Sequence, residues 1–139
     1  MNFKCFGGVN LIKWKDDFLV GVESIDEQHK VLFDLTGKAY DLLKDDYVHD
    51  KYDEIVKIID ELKEYTIFHF RSEEEYMKSI GYKKFLSHKV EHDDFIERVN
   101  SLNFLEIDED QDKYILSILD FVVSWISDHI LQRDKLINP

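Results

Sequence analysis

An all-α, up-down-up-down antiparallel four-helix bundle is the fold this sequence predicts, and three observations predict it. Apolar residues recur at alternating spacings of three and four in four separate segments, while period-2 alternation is scarce. One Pro, at the last position, and 5 Gly leave almost nothing to interrupt a helix. The stretches between the four segments are short, which makes sequential helices antiparallel neighbours.

Taken in order, Met1–Gly21 carries Trp14 and Phe18 but no helical stripe, and reads as an arm across one bundle end. The first helix follows from Ile25, His29, Leu32, Thr36, Ala39 and Leu43. Ser24-Ile-Asp-Glu27 fits a capping box at its start. A charged connector, Lys44–Asp50, leads into the second stripe: Ile55, Ile59, Leu62, Thr66, His69, Glu73, Tyr76 and Ile80. Gly81 is placed to stop that helix with a left-handed cap. Phe85, His88, His92, Phe95, Val99 and Leu102 mark the third helix, and the acid-rich Asn103–Asp112 loop follows. Ile115, Ile118, Val122, Trp125 and His129 mark the fourth. One domain over 1–139 is expected, with the arm over about 1–21 and the bundle over about 22–136.

Composition narrows the partners. Thirty Asp+Glu against 18 Lys+Arg give a net charge of -12. That balance argues against nucleic acid, whose phosphates need a basic face, and against anionic membrane surfaces. It is suited to steering a basic partner. Hydrophobic residues at 44% are too many for a disordered acidic tail. Cys5 has no intrachain partner, no apolar run suggests a membrane span, and Met1–Asn10 lacks a signal-peptide core. A cytoplasmic monomer is expected.

The stripes contain residues foreign to an apolar seam. His29, His69, Glu73, His88, His92 and His129 all sit at seam positions, and only His49 lies off the pattern. Five histidines at positions that make up two in seven of a helix is roughly a 1-in-500 coincidence. Unpartnered, each buried imidazole costs about 1–3 kcal/mol and a carboxylate more. Their heights agree: starts of helices one and three lie level with ends of two and four. All six therefore converge on one layer. His69/Glu73 and His88/His92 are i,i+4 pairs on one face, the usual way a helix offers two metal ligands. Asp134, five residues past His129, can fold its carboxylate into the same layer.

Five imidazoles and two carboxylates exceed the needs of one zinc ion and are too rich in nitrogen for calcium or magnesium. They suit two ions such as iron, manganese, cobalt or zinc. Two octahedral ions offer about twelve positions; five His, two bridging carboxylates and one bridging hydroxide fill about eleven. The open position implies a small-molecule ligand.

Here the sequence resembles the hemerythrin family, in particular its bacterial single-domain members. The resemblance rests on Ile25-Asp-Glu-Gln-His29, His69-Phe-x-x-Glu73-Glu74, His88-x3-His92 and His129-Ile-x-x-x-Asp134. Trp14 and Phe18-x-Val-Gly21 resemble the family's arm, and about residues 12–136 are covered. The resemblance implies reversible O2 binding at a non-haem di-iron centre, two Fe ions bridged by oxo or hydroxo. It implies His88, His92 and His129 on a saturated iron, His29 and His69 on the open one, and Glu73 and Asp134 as bridges. The bridge would supply the proton, so the pocket can be apolar; Leu32, Phe70, Trp125 and Ile126 are its expected walls. Peroxide or other small diatomics would fit the same position.

An oxygen carrier, storage or sensing protein, not an enzyme, is the leading expectation, because a His-rich ligand set carries less negative charge than the four-Glu shell of ferritin-like sites. The alternative is a di-iron peroxidase or O2-reducing enzyme, which would need a separate electron-donor protein. A weaker one is an iron-storage or zinc-loaded protein of the same fold. Asp26, Glu27, Glu74 and Glu75, off the seam, read as solvated helix faces.

Overall fold

The computed structural model describes residues 13–45, 51–102 and 111–138. Cys5, His49 and nearly all of the acidic loop before the fourth helix lie outside them. The expected four helices are present: α1 over Glu23–Lys44, α2 over Lys51–Ser79, α3 over Phe85–Asn100 and α4 over Gln111–Gln132. Single 3₁₀ turns, Asp16–Phe18 and Asp134–Leu136, flank the bundle.

The seam residues go where their spacing sends them. All six stripe positions of α1 are buried, as are Ile55 to Glu73 along α2 and His88 to Val99 along α3. The two seam threonines satisfy their hydroxyls within their own helices: Thr36 Oγ1 donates to Phe33 O at 2.8 Å and Thr66 Oγ1 to Leu62 O at 2.7 Å. Burial is incomplete at Tyr76, Phe85 and Leu102, which are half-buried, and at two further stripe positions. Ile80 lies past the last residue of α2 and is exposed, and Trp125 is half-buried.

Gly81 stops α2 as expected. Its φ is 66°, and paired bonds from Tyr82 N to Met77 O (2.9 Å) and Gly81 N to Lys78 O (3.1 Å) complete a Schellman turn. The capping box does not form. α1 starts at Glu23 behind Val22, which makes no side-chain cap. Asp26 instead turns its carboxylate back to the arm, accepting from Val20 N at 2.7 Å and Gly21 N at 3.1 Å. It is therefore buried, not a solvated face, because the arm's N–H groups have no strand or helix partner to bond.

The described part of the arm packs as expected. Phe18 is buried against Phe33 of α1, ring centroids 4.9 Å apart, and Trp14 meets both rings. Gly21 has φ 98°, and a Cβ there would collide with the Asn138 side chain, which donates to Val20 O. The arm and the chain's closing turn are thus latched together at one end of the bundle.

One composition-based expectation needs correction. Asp112–Leu136 is long and apolar enough, at a mean hydropathy of 1.4, to cross a membrane. Half of that window is buried inside the bundle, because α4 packs against the arm, α1 and the α3 aromatics at once.

Candidate metal centre

The antiparallel topology brings the start of α1, the end of α2, the start of α3 and the end of α4 to one level. There His29, His69, Glu73, His88, His92, His129 and Asp134 are all buried together. Asp134 arrives by the route its sequence position suggested. α4 ends at Gln132, and the following 3₁₀ turn swings the carboxylate back beneath His129.

The donor atoms fall into two overlapping groups. One comprises Glu73, His88, His92, His129 and Asp134; the other comprises His29, His69, Glu73 and Asp134. Within each, the donor atoms lie within 4.8 Å of one another. Both carboxylates straddle the division. Glu73 Oε1 lies 2.8 Å from His88 Nε2 and 3.1 Å from His92 Nε2, while its Oε2 lies 3.4 Å from His69 Nε2 and 3.7 Å from His29 Nε2. Asp134 Oδ1 lies 3.0 Å from His88 Nε2 and 3.1 Å from His129 Nε2, and its Oδ2 lies 3.1 Å from His29 Nε2.

These contacts are short, yet of the seven only His88 Nε2 to Glu73 Oε1 has the direction of a hydrogen bond. His29 Nε2, Glu73 Oε2 and both Asp134 oxygens are buried without a properly directed partner. The three Nε2 atoms of His88, His92 and His129 crowd to 3.0 and 3.1 Å. His69 Nδ1 meets Gln28 Oε1 at 2.7 Å and His92 Nδ1 meets Glu74 Oε2 at 2.9 Å. Since those oxygens accept, both Nδ1 atoms donate, and a neutral ring then aims its Nε2 lone pair inward. Lone pairs and carboxylate oxygens facing each other in a dry core need positive charge between them. The donor set and its orphaned atoms fit metal cations.

Protonation responds to the same field. Burial opposes a charge on His29, but Asp134 and Glu73 outweigh it and raise its pKa to about 9. The same balance takes His88 to about 9, and for His92 Glu73 and Glu74 outweigh burial and raise its pKa. For His69 burial wins over Glu73, and its pKa falls. Burial alone would push Glu73 up, yet the imidazoles of His29, His69, His88 and His92 close around it hold it well below the carboxylate range. Asp134, buried and repelled by Glu73, is likewise held down by His129 and His29.

Behind the imidazoles stands a second set of groups. Glu74, read from its place off the stripe as a solvated face, is buried against His92, and Arg71 fixes its other oxygen at 3.0 Å. Glu91 Oε1 lies 3.4 Å from His129 Nδ1 and takes a 2.7 Å bond from Arg133 on its other oxygen. Gln28 was not singled out by spacing, although its position beside His29 was a signal. Such partners orient metal-bound imidazoles and raise their basicity. Glu27 and Glu75 are exposed, as expected.

A cavity of about 10 Å³ opens beside the His29/His69 group, close to what one water needs. Leu32, Phe70, Trp125 and Ile126 line it, together with Ile130, which spacing did not single out. Phe70 stacks on His92 at 3.9 Å between centroids, and Trp125 stacks on His129 at 4.5 Å. The rings therefore hold two imidazoles as well as walling the cavity.

Residues 20–139 match the Hemerythrin HHE cation binding domain. This chain belongs to the hemerythrin family. Bacteriohemerythrin of Clostridium acetobutylicum is 57% identical over 122 residues, covering 88% of this chain and 95% of the relative. That of Methylococcus capsulatus is 33% identical over 129 residues, 88% of this chain and 90% of the relative. A crystal structure of wild-type hemerythrin superposes with a TM-score of 0.73 at 31% identity, covering 91% of this chain and 95% of that one. As a hemerythrin, the chain carries a cation-binding His/Glu/Asp cluster inside a four-helix bundle.

Proposed function

We propose that this hemerythrin domain, spanning 1–139 with its arm, binds O2 reversibly at a di-iron centre in the cytoplasm, as a carrier, store or sensor. The observation that supports the reading best is the split of each carboxylate. Glu73 and Asp134 each direct one oxygen toward the His88/His92/His129 group and the other toward His29 and, for Glu73, His69. Three histidines and two carboxylate oxygens nearly complete one octahedral ion, leaving only a shared oxo or hydroxo bridge to add. The other ion has two histidines and the same bridges, so it is one ligand short. When bound, the two irons supply the position for O2 and the electrons that hold it.

The chain's own residues do the rest. Leu32, Phe70, Trp125, Ile126 and Ile130 surround the cavity at the His29/His69 side and offer no side-chain proton donor other than the indole N–H of Trp125. They give the position an apolar wall around a space of about one small molecule. Gln28 and Glu74 fix the rings of His69 and His92, keeping Nε2 inward. The limited negative charge of the ligand set favours release of the gas over its further reduction.

The test is stopped-flow mixing of the reduced protein with O2 followed by argon purging, with iron quantified on the same sample. Two irons per chain and full spectral recovery are expected. One metal per chain, or irreversible oxidation with turnover of peroxide, overturns the reading.

A further inference from the structure

On a chain of net charge -12, residues 76–90 hold four Lys and no Asp or Glu. The fold places this stretch over the metal end of the bundle, where the α2–α3 turn meets the closing 3₁₀ turn. Lys83, Lys84 and Lys135 are exposed there and make no ion pair among the described residues. Within the stretch Lys89 pairs with Asp93, and nearby Arg71 pairs with Glu74 and Arg133 with Glu91; Lys13, Lys38, Lys57 and Lys113 are also exposed but are scattered singly along the arm, α1, α2 and α4. Lys78 lies over the Phe85 ring.

The lysines rim an apolar surface. Leu86 is 73% exposed and Leu136 54%, and Ile80 is exposed beside them. A groove runs between the two turns, lined by Ile80, Gly81, Tyr82, Leu136, Ile137 and the two lysines of the α2–α3 turn. An apolar centre with a charged rim is the anatomy of a small, transient protein interface. Its floor is close to the metal cluster: Tyr82 meets His88 edge-on at 6.5 Å between centroids, and Asp134 belongs to the same turn as Leu136.

We propose that this end docks a small acidic protein carrying a one-electron iron–sulfur or flavin centre, which keeps the metal centre reduced. The inference rests on the di-iron reading above. Each encounter would pass one electron from the partner's reduced centre to one of the irons these residues would hold, so two encounters would restore the ferrous pair, an oxo bridge taking one proton from water to become hydroxo. The charge logic reverses the expectation from composition, because the face over the centre is basic although the whole chain is acidic. It also disfavours an anionic lipid surface, which would repel the acidic remainder of the chain.

The probe is a plant-type [2Fe–2S] ferredoxin and, in parallel, an acidic flavodoxin, titrated into the iron-loaded protein by NMR. Expected are shifts confined to residues 78–89 and 131–137, with affinity falling about tenfold or more between low and physiological salt. Lys83→Glu/Lys84→Glu should weaken binding about tenfold or more and slow reduction by the probe to match. Lys57→Glu/Lys113→Glu, which changes net charge equally on exposed positions elsewhere, should do much less. Equal effects of the two variants, or no binding of either probe by the wild type, overturn the proposal. So does co-sedimentation of the wild type with phosphatidylserine vesicles, or self-association that the Lys83/Lys84 variant abolishes. Both variants must keep two irons and an unchanged O2 spectrum; if the wild type lacks these, it is the di-iron reading that has failed.

Discussion

The two ends of the bundle reach opposite solutions, the apolar one with α1, α2 and α4 and the polar one with all four helices. At one end Ala39, Leu43, Ile55, Ile59, Ile115, Leu116 and Leu119 form a wholly apolar cluster. At the other, these helices and α3 fill the seam with His29, His69, Glu73, His88, His92 and His129. The apolar end needs nothing but water to hold it together, at roughly 1.5–3 kcal/mol for each large side chain buried. The polar end is stable only with positive charge inside it. One end keeps the helices in register; the other is free to be optimised for binding.

Metal removal should separate the ends most widely. Structural metal sites contribute their binding free energy to folding, and each ion held at a thousandfold above its Kd adds about 4 kcal/mol. The melting temperature of the stripped protein should fall by about 10 °C or more. Hydrogen exchange should accelerate around His69–His92 and 129–136 while amides near Ile55–Ile59 and Ile115–Leu119 keep their protection. Uniform loss of protection along α2 would show that the ends are not independent.

Mutation gives the matched comparison. Glu73→Ala removes an oxygen from both donor groups and should drop iron from two per chain to below one by elemental analysis. Ile55→Ala, at a fully buried position of the apolar end, should cost about 2–5 kcal/mol in denaturant unfolding yet leave two irons bound. If Ile55→Ala also loses iron, the register it protects is part of the metal site.

Trp125→Ala tests the boundary between packing and pocket. Trp125 is half-buried and stacked on His129, so about 3 kcal/mol of stability should be lost, the low end for a Trp deletion. Two irons should remain while autoxidation, followed spectrally after O2 loading, speeds up as water enters. An unchanged autoxidation rate would put the pocket on another face.

The smallest effect expected is from Glu74→Gln. The amide keeps the shape but replaces a charged acceptor behind His92 and loses the Arg71 pair. Metal affinity should fall about 10- to 100-fold, read by competition with a chelator, with thermal stability of the loaded protein little changed. Glu75→Gln, one residue on and exposed, should do nothing measurable.

What could be read before folding was whatever depends on periodicity. The stripe logic located the four helices, the Gly81 stop and the level of six polar groups, because 3.6 residues per turn and alternating helix direction fix both face and height; Asp134, past the end of α4, was legible only as a carboxylate able to fold back. It misread Asp26 and Glu74 for the same reason. Both lie about 100° round the helix from a seam residue, where periodicity reports solvent but a neighbour can intervene. Asp26 meets the arm, and Glu74 meets α3.

The sequence by itself determined the fold class, the helix positions and the presence of a polar layer in an apolar seam. These are local or one-dimensional properties, set by spacing and by the cost of burying imidazole and carboxylate. Tertiary structure alone decided which oxygen of Glu73 and Asp134 faces which histidines, which rings Gln28, Glu74 and Glu91 support, and that the closing turn meets the lysine-bearing α2–α3 turn over the metal end. Each of those is a contact between residues far apart in the chain, and its energy depends on distance and direction that no spacing along one helix contains.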